Sequence, residues 1–129
     1  GSNSPGGLAP GAGYRFRINA HPGDRLSLAG MLVPSNDTFW ATGADGIPLF
    51  TVGGKPINGM VTTLLDLWDA GTEVNEAPGL GPNQPPRQTY PDQGLREHLP
   101  IDRLVNRKDP YRYPTVADLV SVQIRSVTP

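Results

Sequence analysis

RLSLAGMLV, residues 25–33, carries apolar side chains on both faces of any extended strand that it forms. A strand that is apolar on both faces is typical of a covered, central position in a sheet. Turn-forming residues bound it, with HPGD at 21–24 before it and PSND at 34–37 after it. We therefore predict a central β-strand over residues 25–33.

Strand-like patterns continue on both sides of this stretch. YRFRINA, residues 14–20, alternates apolar and polar side chains, which predicts a half-buried strand. Near the end of the chain, DLVSVQIRSV predicts a closing strand with Val120, Val122 and Ile124 on one face. Other predicted strands are residues 38–41, 47–52 and 60–68, and residues 99–105 fit a short strand or a helical turn. Periodicity alone leaves a helix open over 60–68, but its Val-Thr-Thr start favours a strand.

Residues 69–98 have a different composition, with five prolines between Pro78 and Pro91 and few large apolar side chains. A loop of this length in a compact domain is usually functional or disordered. The remaining pattern, antiparallel strands without a convincing helix, predicts an all-β sandwich or barrel. We assign residues 1–13 to a tag and linker, because Gly1-Ser2 is typical of an expression tag, and residues 14–129 to one domain.

Charge and composition limit the functional classes. The net charge of −1 gives no general attraction to nucleic acid, and the densest basic group, Arg103, Arg107 and Lys108, is interpreted as a solvated face. Cysteine is absent, which excludes disulfides and thiolate chemistry. No apolar run approaches the roughly 20 residues of a membrane-spanning helix.

Two acidic loops follow predicted strands. Ser35-Asn36-Asp37 comes after the first, and DLWDAGTE, residues 66–73, follows the strand at 60–68. Ca²⁺ is bound by six to eight oxygens from carboxylates, amides and backbone carbonyls. Loops that meet at one end of a sandwich can supply these oxygens, although Asp, Asn and Gly are also ordinary turn residues.

The stretch PGDRLSLAGMLVPSND (residues 22–37), followed by WDAGTE (68–73), resembles the spondin N-terminal family, which includes F-spondin and mindin. The run after Glu73 is similar to the bacterial branch, and the resemblance extends from about Gly13 to Val127. It implies a β-sandwich related to calcium-dependent membrane-binding modules, and a secreted or cell-surface location. It also implies adhesion to or recognition of an extracellular protein or glycan, without catalysis.

The resemblance further implies one bound Ca²⁺. Asp37 matches the acid of the first family motif and Asp69 the acid of the second. Asp66 lies where the animal members also carry an acid, at a spacing that differs by two residues, so it is the third expected ligand.

The chain departs from the family before residue 14. Family members have an additional strand and a helical segment where this sequence has glycine, serine and proline. The strand over 14–20 would then have an open edge, which proteins normally avoid. We expect a strand from a partner chain, or self-association, to cover it. The alternative is a rearranged strand order that closes the sheet and leaves a blunted edge.

A second functional class is a secreted polysaccharide hydrolase that uses the same acids. Three positions apart on a strand end, Asp66 and Asp69 would lie on opposite faces, which argues against a catalytic pair. Trp40 and Trp68 are interpreted as core residues, and His21 and His98 as surface residues outside any metal-binding spacing. The segment Tyr111-Arg112-Tyr113 suits sugar stacking, but we favour a structural role for it.

Overall fold

The computed structural model describes residues 6–128 and consists mainly of short antiparallel strands. The strands are β1 (Arg25–Leu26), β2 (Ala29–Met31), β3 (Thr38–Thr42), β4 (Ile47–Pro48), β5 (Gly59–Met60), β6 (Leu65–Asp69), β7 (Asp102–Arg103) and β8 (Gln123–Ile124). Two 3₁₀ turns cover Thr62–Leu64 and Leu104–Asn106, and an α-helix, α1, covers Val116–Leu119. The prediction of an all-β fold is confirmed.

The largest sheet in the described residues has four strands in the order β2-β3-β6-β7. Its centre is the pairing of β3 with β6, which places Thr38 opposite Asp69 and Thr42 opposite Leu65. Two smaller sheets pair β1 with β4 and β5 with β8. The β3–β6 pair therefore carries both acidic loops at one end.

Ile47, Val61 and Leu65 form the buried core. Trp40, Val116, Val120, Val122 and Ile124 pack against it. The predicted common face of Val120, Val122 and Ile124 is thus directed towards the core. Trp40 lies so close to Gly30 that a Cβ on Gly30 would come within 2.3 Å of the indole, so only glycine fits there.

The predicted central strand over 25–33 is wrong in two respects. It is divided into β1 and β2, because the first part pairs with β4 and the second with β3. It is also not central, since β2 lies at the edge of its sheet and Met31 and Val33 are 48% and 51% exposed.

The strand predicted over 14–20 is not formed. These residues belong to no strand, and Tyr14, Phe16 and Ile18 are 54%, 61% and 51% exposed. Among the described residues, no neighbouring strand supplies the backbone partners that the alternating pattern requires. The first five residues of the predicted linker, and Pro129, lie outside the described part of the chain.

The other predicted strands are formed in part. The strand at 38–41 is confirmed as β3, whereas only Ile47–Pro48 of 47–52 pairs as a strand. Within 60–68, Met60 ends β5, a 3₁₀ turn covers Thr62–Leu64, and β6 follows it. Residues 99–105 contain both alternatives, β7 and a 3₁₀ turn.

The start of the predicted closing strand is helical, because Thr115 and Asp118 form a reciprocal capping box that begins α1. The pKa of Asp118 is lowered, since its carboxylate accepts hydrogen bonds from the backbone and side chain of Thr115.

Candidate metal and recognition site

Asp37 holds the start of the long loop. One oxygen, Oδ2, accepts hydrogen bonds from the backbone N–H of Thr72 at 2.6 Å, the Thr72 hydroxyl at 2.9 Å and the backbone N–H of Glu73 at 3.0 Å. The other oxygen, Oδ1, is buried and has no hydrogen-bond partner. Since a buried carboxylate oxygen is costly to leave unpaired, Oδ1 is the open acceptor of this site.

Asp69, at the end of β6, is completely buried. Its Oδ1 accepts a hydrogen bond from the backbone of Gly71 at 2.6 Å, and its Oδ2 accepts one from the Asn75 amide at 2.6 Å. The side chain of Arg107, which is 15% exposed, supplies the counter-charge, with Nε 3.3 Å from Oδ2. The interpretation of Arg107 as part of a solvated face is therefore wrong.

Gly71 sets the direction in which the chain leaves Asp69. Its φ of 71° lies in the left-handed region, and a Cβ there would come within 2.3 Å of the Leu99 carbonyl oxygen. The backbone N–H of Leu99 donates to the Gly71 carbonyl at 3.0 Å. This close approach brings residues 95–99 beside the acidic loops.

Glu97 comes into the site through that return segment. Its backbone N–H donates to the Thr72 carbonyl at 3.0 Å. Burial raises the pKa of Glu97, and the nearby carboxylates of Asp69 and Asp37 raise it further. Glu97 is therefore a third acid of the cluster, and no local sequence pattern marks it.

Asp66 lies apart from this cluster. It lies three positions before Asp69 in β6, and its carboxylate pairs with Arg103 on an exposed surface. The two acids thus occupy opposite faces of the strand, as the sequence suggested. The structure brings Asp37 and Asp69 together but does not add Asp66 to them, and the role of Asp66 as a ligand stays a prediction.

The long loop is held by a buried amide. Gln84 is completely buried, and its Nε2 donates to the carbonyl oxygens of Ala77 at 3.0 Å and Glu76 at 3.3 Å. Its Oε1 accepts a hydrogen bond from the Gly79 backbone at 2.9 Å. The Glu76 carboxylate binds Asn83 and the Asn36 side chain, so the loop is tied to the residue that precedes Asp37.

The donor set fits a hard cation only in part. Asp37 Oδ1 is free and carboxylates are the ligands that Ca²⁺ prefers, but Asp69 is engaged by Asn75 and Arg107. Among residues 6–128, no group of three or more His, Cys, Asp or Glu side chains is arranged to hold a metal ion.

Comparisons with models of protein families, with curated proteins and with solved structures found no match. No helix in the described part of the chain is long and apolar enough to cross a membrane.

Proposed function

We propose that this chain is an extracellular recognition module with a β-sandwich fold. We further propose that one Ca²⁺ binds between the two loops that carry Asp37 and Asp69, at the end of the β3–β6 pair. The observation that carries the proposal is the buried, unpaired Oδ1 of Asp37 beside the buried carboxylate of Asp69. A cation would supply the partner that this oxygen lacks.

The charge balance around Asp69 supports the same proposal. Glu97 adds negative charge next to Asp37 and Asp69, whereas Arg107 is the cation that neutralises Asp69. Asp37 and Asp69 would hold the ion together with backbone carbonyls of the loops, and Glu97 would add negative charge nearby. Calcium would supply positive charge between the loops and so stabilise their arrangement.

The geometry favours binding over catalysis. A hydrolase would need two carboxyl groups facing the same glycosidic bond, but Asp66 and Asp69 lie on opposite faces of β6. Asp69 is also completely buried, out of reach of a polysaccharide.

Calorimetric titration with Ca²⁺, after treatment with a chelator, tests the proposal on the parent chain and on Asp37→Asn. The amide oxygen of the substituted side chain can still accept the three hydrogen bonds that Oδ2 accepts, so this variant should remain folded. Its NH₂ group replaces the free oxygen and repels a cation. We expect one site in the parent and at least tenfold weaker binding in the variant.

Asp45→Asn, at an exposed turn, is the matched control for loss of one carboxylate. It should bind Ca²⁺ as the parent does. Absence of binding to the parent, or equal binding to parent and Asp37→Asn, would refute the proposed site.

A further inference from the structure

A second candidate site lies on the other side of Asp69 and its partners Asn75 and Arg107. A solvent-open groove of about 730 Å³ runs between β6, the segment after β7 and the start of α1. Its lining includes Asp66, Arg103, Leu67, Val105, Tyr111 and Tyr113. This is a concave surface with a few polar groups among apolar ones, which is the usual composition of a ligand site.

Asp109 fixes the two tyrosines of the groove. Its Oδ2 accepts a hydrogen bond from the Tyr113 hydroxyl at 2.8 Å, and its Oδ1 accepts one from the Tyr111 backbone N–H at 3.1 Å. Burial and the Asp109 carboxylate raise the pKa of Tyr113, so that its hydroxyl stays protonated as a donor. Tyr111 is 37% exposed and makes no side-chain hydrogen bond within the described chain, which leaves its ring available to a ligand.

The charges of the groove cancel. Asp66 pairs with Arg103, and both side chains remain partly exposed, at 40% and 51%. Arg107 and Asp109 also line the groove, and Arg107 pairs with the buried Asp69. A lining without excess positive charge does not favour phosphates or nucleic acid. The Asp66–Arg103 pair instead offers an acceptor and a donor side by side.

We propose that this groove binds a neutral carbohydrate chain. Adjacent sugar hydroxyls can donate to Asp66 and accept from Arg103, while the apolar face of a pyranose ring stacks on Tyr111. An aromatic ring supplies contact area at low entropic cost, and the Tyr111 backbone is held by Asp109. Because the groove is open to solvent, a carbohydrate chain can extend beyond it on either side.

The side chain of Asn75 connects the groove to the proposed calcium site. The Asn75 amide donates to Asp69 at 2.6 Å and to Asp109 at 3.2 Å. Asn75 therefore links Asp69 to Asp109, the residue that holds the groove tyrosines. The choice of a glycan ligand rests on the proposed recognition function, whereas the geometry of the groove does not depend on the metal.

An array of neutral hexasaccharides (cello-, xylo-, manno-, malto- and chito-oligosaccharides) tests this inference, probed with the parent chain in Ca²⁺ and in chelator. We expect at least one to be retained. Tyr111→Ala should weaken that binding about tenfold, the upper end of what an aromatic contact contributes. Tyr111→Phe should preserve it, because the ring is kept.

Tyr90→Ala is the matched control, since Tyr90 is 60% exposed and lies outside the groove lining. It should leave binding unchanged. The inference is overturned if no oligosaccharide is retained, which is the result expected of a groove that binds peptides. It is also overturned if Tyr111→Ala binds as well as the parent. Calcium titration of the same samples separates the two proposals, since glycan binding without a Ca²⁺ site would refute only the metal.

Discussion

Gln84 is the single side chain on which the long loop depends most. It is completely buried and satisfies carbonyl oxygens of Glu76 and Ala77 and the backbone N–H of Gly79. Gln84→Ala removes these hydrogen bonds and leaves the half-buried Glu76 carbonyl without a partner, whereas Ala77 and Gly79 keep backbone partners, so we expect a loss of about 2 kcal/mol in the free energy of unfolding. Denaturant melts and amide exchange of residues 76–93 measure it. Gln88→Ala, half-buried in the same loop, should change little, and equal effects of the two variants would contradict this role.

Arg107 and Arg103 make matched ion pairs that differ in burial. Arg107 neutralises the completely buried Asp69, whereas Arg103 pairs with the exposed Asp66. In chelator, Arg107→Met should cost about 3–5 kcal/mol, because it leaves a buried charge without its partner. Arg103→Met should cost at most about 1 kcal/mol. Urea unfolding of the two variants decides this, and a cost for Arg107→Met as small as that for Arg103→Met would show that Asp69 needs no counter-charge.

Glu97 should make the stability of the metal-free chain depend on pH. Its pKa is raised by burial, and then by Asp69 and Asp37, above the ordinary value of 4.5. The folded chain therefore binds this proton more tightly than the unfolded chain. The resulting stability is fully present below that ordinary pKa and is lost as the pH rises through the folded pKa.

Glu97→Gln removes the charge that causes this loss. In chelator at pH 7, the variant should melt at a higher temperature than the parent, and the difference should disappear well below pH 4.5. Melting curves across this range measure it, with Asp45→Asn as the control. A variant that melts below the parent at pH 7 would show that the Glu97 charge is stabilising.

Residues 14–20 have a strand-like sequence but form no strand in the described chain. Tyr14, Phe16 and Ile18 form an exposed apolar row, which is typical of an interaction surface. Antiparallel pairing with a second copy about Ile18 would place Arg17 opposite Asn19 and Phe16 opposite Ala20. Pairing about Phe16 or Arg17 would set arginine opposite arginine, which is unfavourable.

We therefore predict that the chain self-associates through residues 14–20. Sedimentation velocity should show a concentration-dependent dimer for the parent and a monomer for Ile18→Lys. Val52→Lys, at a fully exposed position elsewhere, should dimerise as the parent does. A parent that stays monomeric over a wide concentration range would mean that the segment remains unpaired or finds its partner within its own chain.

Strands β3 and β6 could be predicted from sequence because each carries a local β pattern. In the structure they pair with each other. The division of 25–33 into β1 and β2 could not be predicted, since it depends on which distant strand each half meets. The same limit applies to the site. Asp37 and Asp69 lie at the ends of predicted strands and could be identified locally, whereas Glu97 and Arg107 are distant in sequence and come near them only in the folded chain.

For the molecule as a whole, the proposed calcium links the acidic loops, and Asn75 extends that link to the groove. A ligand that binds only the folded state adds RT ln(1 + [L]/Kd) to its stability, about 2.7 kcal/mol at a hundredfold excess over Kd. For a chain of this length that corresponds to a rise in Tm of about 10 °C.

Thermal melting of the parent and of Asp37→Asn, each in Ca²⁺ and in chelator, therefore tests the central claim most directly. The parent should melt about 10 °C higher in Ca²⁺ than in chelator. Asp37→Asn, which lacks the free buried oxygen, should rise by no more than about 5 °C under the same conditions, since tenfold weaker binding leaves about half of the stabilisation. Coincident curves for the parent in Ca²⁺ and in chelator, or an equal shift for the variant, would contradict a calcium site at Asp37.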